Sequence, residues 1–428
     1  MRRSYLKLMK YFFISRPQSP MQLIHFITSK CNAKCGHCFY WKNLNTKGEL
    51  SLEEIDKLSK HLPDLLILNI SGGEPFIRGD FAEVIKTYYK NTLVKEVTVP
   101  TNGTFTEKTI HDCTDILKNC PDLDLNIVLS LDGIEKIHDD IRQVKDCFKR
   151  GVITFRALKE LQKSYSHLQV SVVSTLTALN QDTLEEFHSY VKKELKPDVF
   201  SLNLIRGEAK NMDLFGVNLQ RYKLFYDLEK KSSKKGLKTS LRDLMNKMRM
   251  NIIVRNVEKK EHVLPCQAGK IMGVMYEKGD VYPCELLNEK KIGNVRDFDY
   301  NFIKLWTSAK NKDTQKFISN TKCYCTHECF LRFNIMYKPT YTLGYFLKSL
   351  LGKGNLTLEI DKKDYGKELK KIGEIRGVRK QQDKMPENLS EKQLEKSIER
   401  FSNPNSPYGV SDINSKLEGG SLSVQDKV

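Results

Sequence analysis

The chain has 428 residues, a formal net charge of +18 and 39 % apolar residues, enough for one large core and a smaller one. No window approaches the roughly 18 uninterrupted apolar residues of a membrane span, and the first twenty residues lack the continuous apolar stretch of a secretory signal. Eleven cysteines, most of them in two groups, then point to metal ligation in a reducing cytoplasm and away from a disulfide framework.

Residues 1–20 read as a basic extension carrying Arg2, Arg3, Lys7, Lys10 and Arg16 and no acid. A strand is predicted at 23–28. It leads into CNAKCGHC, which sets Cys31, Cys35 and Cys38 at C-x3-C-x2-C spacing. Three soft thiolates on one loop form a metal or cluster site that is one ligand short of the four used by structural zinc and ordinary iron–sulfur clusters. The missing ligand leaves a position at which a small molecule can coordinate.

Strand-like and helical patterns then alternate. A helix is predicted at 51–61, opened by a capping box of Ser51 and Glu54. A strand at 65–70 runs into Ser71-Gly72-Gly73-Glu74-Pro75, and a helix follows at 81–89. The strand at 96–100 ends in Thr101-Asn102-Gly103-Thr104. The next, at 125–131, ends in Ser130-Leu131-Asp132-Gly133, with His138-Asp139-Asp140-Ile141-Arg142 beyond it. Further strands are predicted at 169–176 and 199–204, separated by a helix at 184–195 and followed by Arg206-Gly207. Six alternations over 21–210 imply an α/β domain with a parallel sheet and right-handed crossovers. In such sheets the chemistry lies on the loops leaving the strands' C-terminal ends, where all four motifs fall. Asn180 and Arg206-Gly207 are further candidates to face that end.

Residues 211–262 read as a basic helical bridge, with thirteen Lys or Arg against four acids in 221–260. A cysteine-rich segment at 263–335 begins with Cys266, Gly279 and Cys284 in C-x12-G-x4-C spacing. Apolar 271–276, the turn Glu277-Lys278-Gly279-Asp280 and 281–282 predict a hairpin, which folds the two thiols toward each other. Cys323, Cys325 and Cys329 follow in KCYCTHEC. Five thiols can fill one four-cysteine site with one to spare. Alternatively the fifth thiol, or His327, serves a second, incomplete site; zinc is the plain structural option. Cys113, Cys120 and Cys147 stand at no ligand spacing and read as buried neutral thiols. Residues 336–428 read as a polar extension, disordered toward its end.

Taken together, the three-cysteine loop, SGGEP, TNGT and SLDG with HDDIR resemble the radical S-adenosylmethionine (SAM) superfamily. The resemblance implies a partial (β/α)6 barrel. In it Cys31, Cys35 and Cys38 hold a 4Fe–4S cluster whose fourth iron chelates SAM, the backbone at Gly72 and Gly73 beside Glu74 meets the methionine amino group, Ser130 and Arg142 contact SAM, and His37 takes the place of an aromatic near the adenine. It further implies reductive cleavage of SAM to a 5′-deoxyadenosyl radical that abstracts hydrogen from a substrate, with electrons from a ferredoxin or flavodoxin. The second segment is similar to the SPASM/Twitch domain, which implies an auxiliary 4Fe–4S cluster among Cys266, Cys284, Cys323, Cys325 and Cys329. The substrate stays open between an anionic or lipid-linked small molecule and a peptide. With about twenty residues ahead of the first strand, no leader-recognition domain is expected there. The basic stretches suggest peripheral contact with the anionic inner face of a membrane by an otherwise cytoplasmic enzyme. A peptide-modifying maturase is the nearest alternative; a non-catalytic iron–sulfur protein that binds nucleic acid is the remotest, and no specific nucleic-acid partner is expected.

Overall fold

The computed structural model of the chain describes residues 17–232, 237–259 and 262–350. Six parallel strands pair in chain order: β1 (Gln22–Thr28), β2 (Ile67–Gly72), β3 (Glu96–Thr101), β4 (Asp124–Ser130), β5 (Leu168–Leu176) and β6 (Phe200–Leu204). Between them run α1 (Leu52–Ser59), α2 (Phe81–Asn91), α3 (Thr106–Asn119), α4 (Glu135–Arg142), α5 (Cys147–Ser164) and α6 (Leu184–Tyr190). The sheet does not close on itself, because β6 ends it on one side and β1 takes another partner on the other. This is the partial barrel expected.

The side-chain pattern explains both faces. In β3, Val97 and Val99 are buried against the helices, whereas Glu96, Thr98 and Pro100 turn inward and line a cavity. β1 is apolar on both sides: Leu23 and Ile27 join the helix-side core, and Ile24 and Phe26 join a second core under the C-terminal segment. Each such fully buried side chain contributes roughly 1.5–3 kcal/mol of transfer free energy. The capping box of α1 forms, with the Glu54 N–H donating to Ser51 Oγ (3.3 Å) and the Ser51 N–H to Glu54 Oε2 (2.8 Å).

One feature of the topology is invisible in the sequence. The hairpin of β7 (Met272–Met275) and β8 (Asp280–Tyr282), with β9 (Gly293–Asn294), continues the barrel sheet, β7 lying parallel to β1. Four wholly buried residues, MGVM, add to an edge that would otherwise leave main-chain groups unpaired. Arg296 and Tyr300 fasten this segment to the barrel through Glu54, and Arg332 reaches Glu96.

The expected bridge is built into the core. α7 (Leu219–Ser232) buries Tyr222 and Phe225, and α8 (Leu237–Lys259) buries Met248, Ile252 and Ile253. After α9 (Phe302–Trp306) and α10 (Ala309–Asn320), the pair α11 (Glu328–Met336) and α12 (Pro339–Leu350) carries the fold past the boundary expected at 336, and the Asn251 side chain donates to the Tyr345 hydroxyl at 2.7 Å. The basic residues of the N-terminal extension, Lys234, Lys235 and the tail beyond 350 lie outside the described residues. Among the described residues no helix is long and apolar enough to cross a membrane.

Candidate active site

The three-cysteine loop is clamped from three sides. Lys34 N–H and Gly36 N–H donate to the carbonyls of Arg142 and Ile141 at the end of α4, and Lys210 and Asn211 N–H donate to Cys38 and Gly36 carbonyls. Asn32 exchanges side-chain hydrogen bonds with Thr104 and Asn102 of the TNGT loop, both at 2.9 Å. Cys35 is buried, while Cys31 and Cys38 are half-buried. Burial pushes the Cys31 thiol up to about 12 and Cys38 up to about 11, so neutral thiols occupy the apo loop and metal binding must displace their protons.

The glycines of SGGEP are required by the packing of the chain itself. A Cβ on Gly72 would stand 2.2 Å from the Thr28 carbonyl oxygen, and one on Gly73 2.1 Å from that of Lys30. Gly72 also has φ +118°. The space is therefore filled by the start of the cysteine loop itself, to which Gly73 and Glu74 N–H donate at 2.8 Å. Glu74 faces the next strand: its carboxylate accepts from Thr101 Oγ1 (2.7 Å) and Asn102 N–H (2.8 Å). Burial raises it to about 7. It positions the TNGT loop, and through Asn102 the cysteine loop.

Arg142 is no helix-surface residue. It is buried, its Nη2 pairs with Asp132 at 2.7 Å and its Nη1 donates to Cys35 Sγ at 3.8 Å. Burial alone would raise the Asp132 carboxyl, but Arg142, His37 and His138 outweigh it and hold it below the usual carboxylate range. Asp132 lies within SLDG, ten residues before Arg142, and that spacing of acid and arginine is its one sequence signal. His37 is lowered to about 4, chiefly by burial, and its Nδ1 is buried without a hydrogen-bond partner, as is Arg142 Nε. Asn180 is structural, donating to the Asp132 and Thr175 carbonyls.

These residues share one cavity of about 490 Å³. Cys31, Cys35 and Cys38 lie along one wall with Gly72, Gly73, Glu74, Ser130, Arg142 and His37. Three soft thiols and two buried nitrogens without partners, Arg142 Nε and His37 Nδ1, suit a thiolate-bound cluster beside an anionic, hydrogen-bonding ligand.

The C-terminal cysteines separate into four and one. Burial first, and then nearby thiols, raise Cys266 (Cys323), Cys284 (Cys325 and Cys266) and Cys325 (Cys266 and Cys323), so these four are electrostatic neighbours, though among the described residues no three are already drawn together as a metal site. They come from the entry to β7, the exit of β8 and the turn before α11. Asn256 and His262 bond to the carbonyls of Cys325 and Cys323. Cys329 is exposed on α11 and lines the barrel cavity. Beside it stands an ionic cluster that the sequence did not announce: Arg206 pairs with Glu328 (2.8 Å), and His327 with Glu285 (2.8 Å). Cys113, Cys120 and Cys147 are buried, as expected.

The family model of the radical SAM superfamily matches residues 26–193. These residues are a radical SAM domain. Relatives extend the likeness beyond it: the subtilosin biosynthesis protein AlbA of Bacillus subtilis is 24 % identical over 332 residues, 73 % of this chain and 68 % of its own length. The Fe-coproporphyrin III synthase of Methanosarcina barkeri is 24 % identical over 321 residues, 70 % and 76 % of the two chains. A solved structure, native anSMEcpe with bound AdoMet, shares the fold with a TM-score of 0.51 at 18 % identity, covering 79 % of this chain and all of that one. The likeness of these relatives runs on from the radical SAM domain into the C-terminal cysteine-rich segment.

Proposed function

We propose that Cys31, Cys35 and Cys38 ligate the cluster that binds SAM, and that Cys266, Cys284, Cys323 and Cys325 ligate an auxiliary 4Fe–4S cluster, leaving Cys329 to the cavity. The observation that carries this is the arrangement of the thiols: three open onto a cavity that also holds Gly72, Gly73, Ser130 and Arg142, whereas four are electrostatic neighbours away from it. When bound, the first cluster and SAM supply one-electron reduction of the sulfonium and thereby a carbon radical able to abstract hydrogen. The protein's own residues do the rest. Arg142, oriented by Asp132, offers its guanidinium to the SAM carboxylate; His37 and Ser130 flank the ligand; Glu74 fixes the loops around it; the cavity walls keep water from the radical. A ferredoxin or flavodoxin delivers the electron.

The test is anaerobic: reconstituted protein given SAM and a strong reductant forms 5′-deoxyadenosine, and Cys35→Ala does not. Failure of intact, iron-loaded protein to bind or cleave SAM would overturn the assignment. A peptide is the second reading of the substrate, favoured by the likeness to a bacteriocin biosynthesis protein. Peripheral contact with anionic lipid rests on the basic composition of 221–260 and is checked by flotation with anionic against neutral vesicles, with Lys230 and Lys231 changed to Gln.

A further inference from the structure

The cavity continues past the SAM motifs, and its walls are built for a polar guest. Inward positions of a parallel sheet usually carry apolar residues, yet here Asn69 (β2), Thr98 (β3), Ser201 and Asn203 (β6) face the cavity. Asparagine is disfavoured in strands, and none of these four side chains hydrogen-bonds within the protein among the described residues. Their donors and acceptors remain available.

The arginines on the cavity and His327 pair with carboxylates, with one exception. Arg142 has Asp132, Arg206 has Glu328, His327 has Glu285 and Arg332 has Glu96. Arg249, on α8, lines the same cavity. Its Nη2 donates to Asn246 Oδ1 at 3.2 Å, it also bonds to the Tyr226 phenol, and its Nε is buried without a partner. Glu328 stands near enough to favour its charge but is already engaged by Arg206. Among the described residues Arg249 thus has no carboxylate of its own. Burial opposes its charge, but Tyr226, Tyr222 and Glu328 outweigh burial and keep Arg249 charged; its Nε is left without a partner, and a planar fork of donors suits an oxyanion.

We propose that Arg249 binds an oxyanion group of the substrate, a carboxylate or a phosphoryl group, while Asn69, Thr98, Ser201 and Asn203 hydrogen-bond the uncharged part. The substrate is then a polar anion held between α8 and the barrel strands. This assignment rests on the cavity being the substrate site of the radical SAM reaction.

The probes are inorganic phosphate and acetate, each added to anaerobically reconstituted, SAM-bound holoenzyme and compared with chloride at equal ionic strength. One or both should raise the apparent melting temperature by about 2–4 °C beyond chloride; phosphate alone identifies a phosphoryl group, acetate alone a carboxylate. Arg249→Met should abolish the excess shift, Arg249→Lys should keep part of it, and Lys230→Gln on the exposed end of α7 should keep all of it. No excess over chloride in the wild type, or an equal excess in both Arg249 variants, overturns the proposal. Formation of 5′-deoxyadenosine by the same wild-type preparation reports separately on the cofactor assignment.

Discussion

The two cysteine groups differ in how the chain delivers them. Cys31, Cys35 and Cys38 come from one eight-residue loop and open onto a cavity, whereas Cys266, Cys284, Cys323 and Cys325 come from three separate places in the fold and are electrostatic neighbours. A loop that supplies three ligands holds its geometry through its own clamps and leaves a position for an exchangeable partner. A site assembled from distant segments gains its geometry only when the fold is complete, and four thiols close it. Proximity to the cavity suits the first to chemistry; enclosure suits the second to electron transfer.

The largest effect that tests this contrast is on turnover. Cys35→Ala should abolish 5′-deoxyadenosine formation altogether, and with all three loop cysteines changed to Ala the protein should keep about four of roughly eight irons. Stoichiometric zinc in place of the remaining iron would refute the auxiliary cluster.

A pair of single variants then separates four thiols from five. Cys325→Ala should lose the auxiliary iron, about half the total, while Cys329→Ala should retain roughly eight. Equal loss from both would put Cys329 among the ligands.

Arg142 probes the open position itself. Arg142→Ala should weaken SAM binding by about 30- to 1000-fold, the equivalent of ~2–4 kcal/mol, with iron content unchanged. Lysine should rescue it only in part, since a point charge cannot serve Asp132 and a carboxylate as a planar fork does. Calorimetric titration with SAM reads the result; unaltered affinity would confine Arg142 to holding Asp132 and the cysteine loop.

The smallest effect concerns how the two regions are joined. The Arg296 bond, above all, holds Glu54 down at about 2 against an ordinary 4.5. A depressed carboxyl stabilises the fold above its ordinary value, and that contribution fades as pH falls from about 4.5 toward 2. Because the pair is near the surface, Glu54→Gln should lower the apparent melting temperature by only ~1–2 °C near neutrality. The gap from wild type should hold above about pH 5 and narrow as pH falls from about 4.5 toward 2; a constant gap would assign the effect to the lost helix cap instead.

Much of the barrel was legible because its signals are local. Strand and helix runs showed as changes of hydrophobic period, and Ser51 with Glu54 marked a helix start that forms as written. The C-x3-C-x2-C loop was readable because its three cysteines sit within eight residues. Glycines 72 and 73 were legible as a motif, but that a Cβ there would meet the backbone of a loop forty residues earlier was not. Arg142 was legible as part of the HDDIR motif, whereas its partner Asp132 and its burial were not.

By itself the sequence determined the order of strands and helices, the three-thiol loop and the chemistry that loop serves, because each depends on residues close together in the chain. Only the tertiary structure decided which C-terminal thiols are neighbours, that β7 extends the barrel sheet through β1, and that Glu285, Glu328, Arg206 and Arg249 meet at one cavity wall. Those outcomes rest on contacts between segments up to about 250 residues apart, and burial and charge pairing over such separations leave no periodic trace in the sequence.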